Sequence, residues 1–263
     1  MSRFSRGTAL ITGASTGIGR ELALAIAKDH PQVVLVARDQ ARLESVATEI
    51  GTIEGMRPPL VLPADLSQAD SPRRIFEKLQ GEHITVDYLI NNAGFGTHGL
   101  FYETDEKQTL DLLAVNMTSL VHLTRLFLPG MVERRHGRVL NVASIAGFLP
   151  GPHMATYYAS KAFVLSFTEA LDAELGRGDV RATALCPGPV ITEFQQRAGI
   201  QNSALFRGNS IDAATCARIG YRAMMAGRRV VVPGFKSRMM ATSARLVPRR
   251  LATYLAGKLN KDR

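Results

Sequence analysis

Three side chains between Ser144 and Lys161 could together perform acid/base chemistry. Tyr157 and Lys161 are four residues apart in the helix-compatible run ATYYASKAFVLSFTEALDAEL, so both leave the same helix face. A phenol keeps its proton until pH ~10, but a fixed cation beside it favours the phenolate and lowers its pKa towards neutrality. Ser144 follows the apolar run VLNVA, so its hydroxyl lies at a predicted strand end and could hold a substrate oxygen. The pattern predicts Tyr157 as a general acid/base.

The same two residues would also fit an ordinary amphipathic helix with a solvated lysine, so the surrounding chain must decide between the two interpretations. At 263 residues, 46% of them apolar and 21% charged, the chain suits one large α/β domain or two small ones. The two cysteines, Cys186 and Cys216, are too few for a disulfide framework and form no metal-ligand pattern. The N-terminus has no apolar stretch typical of secretion, and no apolar run is long enough to span a bilayer. We therefore expect a cytoplasmic protein without a metal ion.

The net charge of +9 is confined to the C-terminal end of the chain. Residues 1–227 contain 22 Lys and Arg against 22 Asp and Glu, whereas residues 228–263 contain 10 against a single acid, Asp262. The high pI therefore belongs to the tail alone and does not make the whole chain a nucleic-acid binder. Nucleic acid is not an expected partner.

Short apolar runs alternate with helical patterns along most of the chain. Predicted strands cover residues 8–12, 32–37, 59–64, 86–91, 138–143, 180–186 and 229–233. Predicted helices cover residues 17–28, 39–50, 67–81, 104–134 (as two helices), 155–176 and 212–226. Strands this apolar, separated by helices, are typical of a parallel sheet that is buried on both faces. We therefore predict a single doubly wound, Rossmann-type α/β domain over residues 1–233, with a seven-stranded parallel sheet flanked by helices.

A glycine-rich turn follows the first predicted strand and opens the first helix. It reads Thr12-Gly13-Ala14-Ser15-Thr16-Gly17-Ile18-Gly19. Glycines at such a turn let the backbone approach a pyrophosphate, whose charge the helix N-terminus favours. A lone glycine turn could be only a tight connection, but its place between a strand and a helix indicates a nucleotide site.

Several motifs together resemble the short-chain dehydrogenase/reductase family. They are the turn TGASTGIG, the run NNAG at 91–94, Asn116, Ser144 and YYASK, and the similarity covers roughly residues 6–233. Their agreement in order and spacing is far more specific than any one motif. The resemblance implies an oxidoreductase that interconverts a carbonyl and a secondary alcohol by hydride transfer.

The resemblance also implies a catalytic tetrad of Asn116, Ser144, Tyr157 and Lys161. Ser144 and Tyr157 would bind the substrate oxygen, with Tyr157 as its acid/base. Lys161 would lower the Tyr157 pKa and bind the nicotinamide ribose. Asn116 would bend a helix and hold a proton-relay water beside Lys161. A buried amide in the apolar run LLAVNMTSLVHLT must in any case be hydrogen-bonded, so a purely structural partner is the simpler interpretation of Asn116. The resemblance favours its role in the tetrad.

The end of the second predicted strand reads Ala37-Arg38-Asp39. An acid at this strand end binds the ribose 2′-OH of NAD, while a nearby Arg accommodates the 2′-phosphate of NADP. Because alanine ends the strand and Arg38 follows, we predict that NADP(H) is preferred, with NAD(H) as a second option. The alternative is that Arg38 begins a solvated helix and Asp39 discriminates. Arg42 could add a second contact or be surface charge.

The resemblance places further cofactor contacts at the ends of the strands. The full predicted set is Gly13, Ser15, Thr16, Gly17, Ile18, Gly19, Arg38, Asp65, Leu66, Asn92, Ala93, Gly94, Tyr157, Lys161, Pro187, Val190 and Thr192. Asp65 could also be a helix N-cap, and Asn91 is expected to hold strand ends together. Residues 190–211 resemble a mobile substrate lid, whose sequence does not identify the substrate. An apolar carbonyl, such as an acyl-chain ketone or a steroid-like molecule, is the expected substrate class.

Two other classes of function fit the same fold. One is a nucleotide-binding regulator without turnover, against which the complete tetrad argues, because a binder has no need of all four residues. The other is a membrane-surface scaffold that acts through its tail. The resemblance also implies a homodimer or homotetramer, paired through the apolar helices at 104–134 and 155–176.

Residues 234–263 are expected to form a basic amphipathic extension. An apolar stripe runs through them with Arg and Lys between: Met240, Ala244, Val247, Leu251, Leu255 and Leu259. Pro248 is expected to divide the extension into two helices. The extension could pack on the subunit or its partner, or lie peripherally on an anionic membrane. Its one-sided charge favours the membrane.

Overall fold

Nine strands are present in the computed structural model, which describes residues 7–30, 32–176, 178–198, 210–244 and 246–261, without the side chains of residues 196 and 197. The strands are β1 (Thr8–Thr12), β2 (Gln32–Ala37), β3 (Leu60–Pro63), β4 (Val86–Asn91), β5 (Gly137–Val142), β6 (Val180–Leu185), β7 (Val190–Ile191), β8 (Ile211–Asp212) and β9 (Val230–Val231). Seven of them form one parallel sheet in the order β3-β2-β1-β4-β5-β6-β9, and β7 pairs with β8 separately. The predicted seven-stranded Rossmann-type sheet is confirmed.

Helices cover both faces of the sheet. They are α1 (Gly17–Ala27), α2 (Gln40–Gly51), α3 (Ser71–Gly81), α4 (Glu106–Leu113), α5 (Ser119–Glu133), α6 (Ala155–Leu175), α7 (Phe194–Arg197), α8 (Ala213–Met225), α9 (Phe235–Ser243) and α10 (Arg249–Asn260). Residues of α1, α2 and α8 share one hydrophobic core, and residues of α3, α5 and α6 share another. The strands are buried on both faces, which explains why their sequences are apolar at nearly every position.

A polar ladder joins the two central strands to the helices above them. The Asn91 Nδ2 donates to Asn141 Oδ1 at 2.9 Å and to Thr124 Oγ1 at 3.1 Å. The Asn141 Nδ2 in turn donates to Thr168 Oγ1 at 2.9 Å. These bonds fix β4, β5, α5 and α6 relative to one another, which confirms the expectation that Asn91 holds strand ends together.

The third helix begins four residues later than predicted, at Ser71 rather than 67. The Ser67 N–H and hydroxyl both donate to Asp65 Oδ1, at 3.0 and 2.9 Å. Such a local side-chain turn competes with the helix for the backbone. Asp65 therefore caps a turn and does not cap α3, where Asp70 takes the N-cap position.

One helical run, Glu106–Glu133, is long and apolar enough to cross a bilayer by length and composition. This corrects the expectation that the chain has no such run. Leu120, Leu123 and Phe127 of this run are buried in the domain core. Packing against a sheet that is covered on both faces accounts for the apolar composition of the run.

The helix α6 is attached to the far edge of the sheet by a buried carboxylate. Asp172 is fully buried and accepts from Arg181 at 2.7 and 2.9 Å, from Arg229 at 3.0 Å and from the Ala182 N–H at 3.2 Å. Burial acts to raise the pKa of Asp172, but the hydrogen bonds from Arg181 and Arg229 outweigh it and hold the pKa below its ordinary value. The carboxylate thus ties α6 to β6 and to the strand that follows α8.

Replacing Asp172 by Asn should lower the melting temperature. The change removes the charge from the bonds to Arg181 and Arg229, and each hydrogen bond to a charged group contributes about 1.5–3 kcal/mol. A chain of this size then loses roughly 6 °C or more in Tm, which differential scanning calorimetry would measure. The matched control is Asp70→Asn, whose carboxylate pairs with Arg74 on an exposed helix turn. Its Tm should stay within about 2 °C, because exposed pairs contribute little.

The effect of Asp172→Asn should also depend on pH in one direction. A carboxylate with a lowered folded-state pKa contributes stability above its unfolded pKa of about 4 and loses it as pH falls through the folded value. The difference in Tm between the two proteins should therefore be constant from neutral to weakly acidic pH and shrink in stronger acid. A difference that grows as pH falls would contradict the assignment.

Candidate active site

A cleft of about 830 Å³ opens at the carboxyl ends of the central strands, where ligands gather in open parallel sheets. Every residue predicted to bind cofactor or substrate lines it: Gly13, Ser15, Thr16, Gly17, Ile18, Gly19, Arg38, Asp65, Leu66, Asn92, Ala93, Gly94, Ser144, Tyr157, Lys161, Pro187, Val190 and Thr192. Asn116 lies behind this lining and is 1% exposed. Within the described ranges, no group of His, Cys, Asp and Glu could hold a metal ion.

Lys161 is buried in the floor of the cleft, where it is 5% exposed. Its Nζ donates to the carbonyl of Val142 at 2.8 Å, at the end of β5. A Cβ on Gly94 would lie 3.3 Å from this Nζ and 3.0 Å from Asn116 Oδ1, so the glycine leaves room for both groups. Burial lowers the pKa of Lys161 to about 8.

Tyr157 lies one helical turn before Lys161, with the Nζ 5.8 Å from its ring centre. Burial raises the pKa of Tyr157, while a hydrogen bond with Ser144 acts to lower it. Burying a phenolate costs more than the neighbouring groups return, so the net direction is opposite to the one expected from the lysine charge. In the free protein the phenol therefore holds its proton, which suits an acid.

The hydroxyl of Ser144 is oriented by two backbone groups. It accepts from the Ala146 N–H at 3.1 Å and donates to the Pro187 carbonyl at 3.4 Å. Ser144 also begins the short 3₁₀ turn Ile145–Phe148, so its position at the strand end is fixed on both sides. The phenol and this hydroxyl therefore face the same part of the cleft.

Asn116 lies in a π-helical turn, Ala114–Thr118, between α4 and α5. Its Nδ2 donates to the Phe95 carbonyl and to Ser160 Oγ, both at 3.0 Å, and its Oδ1 accepts from the Phe95 N–H at 3.1 Å. The side chain thus has the structural partners of the simpler interpretation and joins the exit of β4 to α6. Its role beside a relay water stays a prediction.

The glycine-rich turn is held by the end of β4. The Asn92 Nδ2 donates to the Thr12 carbonyl at 2.9 Å, and Thr12 Oγ1 accepts from the N–H groups of Asn92 and Ala93 at 3.0 Å. A Cβ on Gly19 would collide with the Gly13 carbonyl, so α1 can approach the turn only without a side chain there. The Asn92 amide is therefore occupied in supporting the turn.

Charged groups surround the end of the cleft beside β2. Burial acts to raise the pKa of Asp65, but the hydrogen bonds from Ser67 and the charge of Arg38 hold it below its ordinary value. Asp39 caps α2 by accepting from the Arg42 N–H at 3.1 Å. The Arg42 guanidinium also donates at 2.7 Å to the carboxylate of Glu193, which lies in the segment after β7. Arg42 thus contacts two residues that line the cleft, Asp39 and Glu193.

The other half of the cleft is apolar, and apart from Phe194, which lies in the predicted lid, its side chains were not predicted from the sequence. Its side chains come from four separate segments: Leu149, Met154, Phe194, Met240, Ala256 and Leu259. The Phe194 ring lies 5.4 Å from the Tyr157 ring. Met240 and Leu259 belong to the apolar stripe predicted for the extension, but nothing in their spacing indicated that they reach the cleft.

Asn260, at the end of α10, locks this helix onto the domain. It is 1% exposed and accepts from the Tyr158 hydroxyl at 3.0 Å. Its Nδ2 donates to the Pro152 carbonyl at 3.0 Å, and its own carbonyl lies 2.7 Å from His98 Nε2. The extension is therefore a wall of the cleft, built on the buried small residues Ala252 and Ala256.

The predicted lid is described only at its two ends. Val190 pairs with Ile211, so the segment leaves and returns at one point of the domain. Val190 and Thr192 line the cleft as predicted, and residues 199–209 lie outside the described residues.

Comparison with known proteins assigns the family. The chain matches the family model of the short chain dehydrogenases over residues 7–203. It is 37% identical over 190 residues to Probable oxidoreductase EphD of Mycobacterium tuberculosis, covering 72% of this chain and 32% of that protein. It is 40% identical over 176 residues to a Very-long-chain 3-oxoacyl-CoA reductase of Phaeosphaeria nodorum, covering 65% and 51%. The chain thus spans about a third to a half of the length of these relatives.

A solved structure extends the similarity over nearly the whole chain. A short-chain dehydrogenase from Sphingobium yanoikuyae in complex with NADPH superimposes with a TM-score of 0.79 at 29% identity, covering 91% of this chain and 93% of that one. The chain belongs to the short chain dehydrogenase family, a family of oxidoreductases. The resemblance inferred from the motifs is confirmed.

Replacing Asn260 by Ala should loosen α10. The change removes the bonds to Tyr158 and Pro152, and each buried group left without a partner costs about 1–3 kcal/mol. We expect faster cleavage within α10 in limited proteolysis and a Tm lower by several degrees. The control is Thr253→Ala on the same helix, whose hydroxyl bonds only to its own helix at Arg249. Equal cleavage rates in the two variants would show that Asn260 does not hold the helix.

Proposed function

We propose that the chain is an NADP(H)-dependent oxidoreductase that interconverts an apolar carbonyl compound and its secondary alcohol. One observation carries the proposal: the phenol of Tyr157, the hydroxyl of Ser144 and the buried ammonium of Lys161 meet at the end of β5. They do so inside a cleft whose other end is the glycine-rich turn. The geometry supports an acid/base and a nucleotide site within one cleft.

The first half of the cleft fits a dinucleotide. Ser15 to Gly19 line it at the N-terminus of α1, and Thr16 does not cap this terminus with its side chain. Free backbone N–H groups at a helix start favour phosphate. Gly17 has a φ of 57°, which a glycine adopts without strain. When bound, the cofactor would supply the hydride.

The charges at the β2 end of the cleft support NADP(H) over NAD(H). Ala37 ends the strand without an acid, and Arg38 lines the cleft beside Asp65. Asp39, the alternative discriminating residue, is already used to cap α2. The NADPH bound to the Sphingobium yanoikuyae relative agrees with this assignment.

The protein's own groups move the proton. Because burial raises its pKa, Tyr157 is protonated in the free protein and can donate to a carbonyl oxygen. Ser144 would hold the same oxygen from the strand end. The ammonium of Lys161, whose Nζ lies 5.8 Å from the Tyr157 ring centre, would stabilise the phenolate that remains after the transfer, since an opposite charge nearby favours the ionised form.

The substrate half of the cleft supports an apolar substrate. Leu149, Met154, Phe194, Met240 and Leu259 line it around Tyr157. Sites of this kind bind the apolar part of a ligand by burial and orient it with a few polar groups. The name of the Phaeosphaeria nodorum relative, a 3-oxoacyl-CoA reductase, supports an acyl-chain ketone.

The variant Tyr157→Phe tests the acid/base assignment. It keeps the ring and removes the proton donor, so kcat for reduction of an apolar ketone should fall at least ~10²-fold. NADPH should still bind, as fluorescence titration would show. The matched control is Tyr102→Phe, which makes the same chemical change at an exposed tyrosine outside the cleft lining and should keep near-full turnover. Loss of turnover in the control alone, or near-full turnover in Tyr157→Phe, would overturn the assignment.

The double variant Ala37→Asp with Arg38→Ile tests the cofactor assignment. It removes the cation for a 2′-phosphate and supplies an acid for a ribose hydroxyl. The KM for NADPH should rise roughly tenfold or more, and the KM for NADH should fall. The control is Arg74→Ala on α3, away from the cleft, which should change neither constant. A wild-type protein that prefers NADH would contradict the assignment.

A further inference from the structure

The two helices after the sheet present large apolar side chains to solvent. These residues are between 47% and 83% exposed: Phe235, Met239, Leu246, Leu251, Tyr254 and Leu255. Isolated exposed apolar residues are ordinary on a protein surface, but a concentration within two short helices indicates a contact site. We call these two helices and the turn between them, residues 235–260, the C-terminal face.

The same face carries an excess of positive charge. Its exposed cations are Lys236, Arg238, Arg249, Arg250, Lys258 and, just beyond α10, Lys261. The sequence from Gly234 to Lys261 contains no Asp or Glu. The Lys258 Nζ lies 4.7 Å over the Tyr254 ring, so cation and apolar ring share one side of α10. Such a mixture of Leu, Tyr, Lys and Arg is typical of helices that lie in a membrane interface.

The exposed side of α10 does not pack against its own domain. The inner side of this helix is already used by Ala252, Ala256 and Asn260, which are buried. A Cβ on Gly257 would lie 3.3 Å from Pro152, so the helix has reached close contact. Leu251 and Leu255 are left on the outer side by this packing.

We propose that the C-terminal face docks the protein on an anionic lipid bilayer. The Lys and Arg side chains meet the acidic headgroups, and Leu251, Tyr254 and Leu255 enter the boundary with the acyl chains. A second copy of this chain fits the face poorly. In a two-fold interface a patch meets itself, and the cations of one copy would then face those of the other, because residues 234–261 contain no Asp or Glu.

Docking would bring a wall of the cleft to the lipid surface. Ala256 and Leu259 of α10 and Met240 of α9 line the cleft from inside, while other side chains of the same helices face outwards. An apolar substrate dissolved in the bilayer would then lie close to the cleft. This consequence rests on the proposed function, whereas docking itself does not, so a vesicle-binding assay without turnover tests docking alone.

The experiment is co-sedimentation of the full chain with phosphatidylcholine vesicles, with and without phosphatidylglycerol. We expect the protein to pellet only with the anionic vesicles and to be released as salt rises, because screening weakens the attraction. The variant Arg249→Glu with Arg250→Glu should weaken binding roughly thirtyfold or more, since each cation near an anionic surface contributes substantially. Leu251→Ser with Leu255→Ser should weaken it roughly tenfold.

The matched control is Arg73→Glu with Arg74→Glu. These two residues are also an exposed, adjacent pair in the first turn of a helix, α3, so the change in net charge is the same. This control should keep most of the vesicle binding, and thermal melting should show that all variants fold.

Four outcomes would overturn the proposal. The wild-type protein could stay in the supernatant of anionic vesicles at low salt. The control pair could lose as much binding as the C-terminal pair, which would mean unspecific charge attraction. The leucine variant could bind as the wild type does, which would exclude insertion. Sedimentation velocity could show, without lipid binding, a dimer that only the Arg249 and Arg250 variant dissociates, which would make the face an interface between copies.

Discussion

The buried ammonium of Lys161 is the constraint on which the site depends. A charge taken out of water costs several kcal/mol unless polar groups surround it, and here the Val142 carbonyl at the end of β5 accepts from it. The ammonium reaches that carbonyl only if α6 lies at one height along the sheet. Tyr157, one helical turn earlier, then lies in the cleft beside Ser144. Asp172 fixes the later part of the same helix through its bonds to Arg181 and to the Ala182 N–H. The packing of α6 on the sheet therefore also sets the positions of Tyr157 and Lys161.

The two halves of the cleft are built in different ways. The cofactor half consists of turns that directly follow β1, β2 and β4, so each short motif carries its own geometry. The substrate half is assembled from segments far apart in the chain, and Asn260 joins the last of them to Tyr158, 102 residues earlier. A scaffold of this kind can keep one reaction while the apolar wall changes, because the wall contributes shape rather than chemistry.

Local signals in the sequence predicted the sheet and the cofactor half. The apolar strands, the turn around Gly13 and the spacing of Tyr157 and Lys161 are all readable within a few residues. The pKa of Tyr157 was not, because burial depends on the whole fold. The side of α10 that packs against the domain could not be read from the sequence either. Its close approach to Pro152 requires small residues, so Ala252 and Ala256 face inwards while the larger Leu251 and Leu255 do not.

In the proposed reaction, Tyr157 protonates a carbonyl whose carbon receives a hydride from NADPH. The most direct test is reduction of an apolar ketone with NADPH that carries deuterium at the transferable position, followed by mass spectrometry of the product. The wild-type protein should give the secondary alcohol with one deuterium on the carbinol carbon, and Tyr157→Phe should give almost none. An alcohol without deuterium, or no alcohol from any apolar ketone in a broad panel, would contradict the claim.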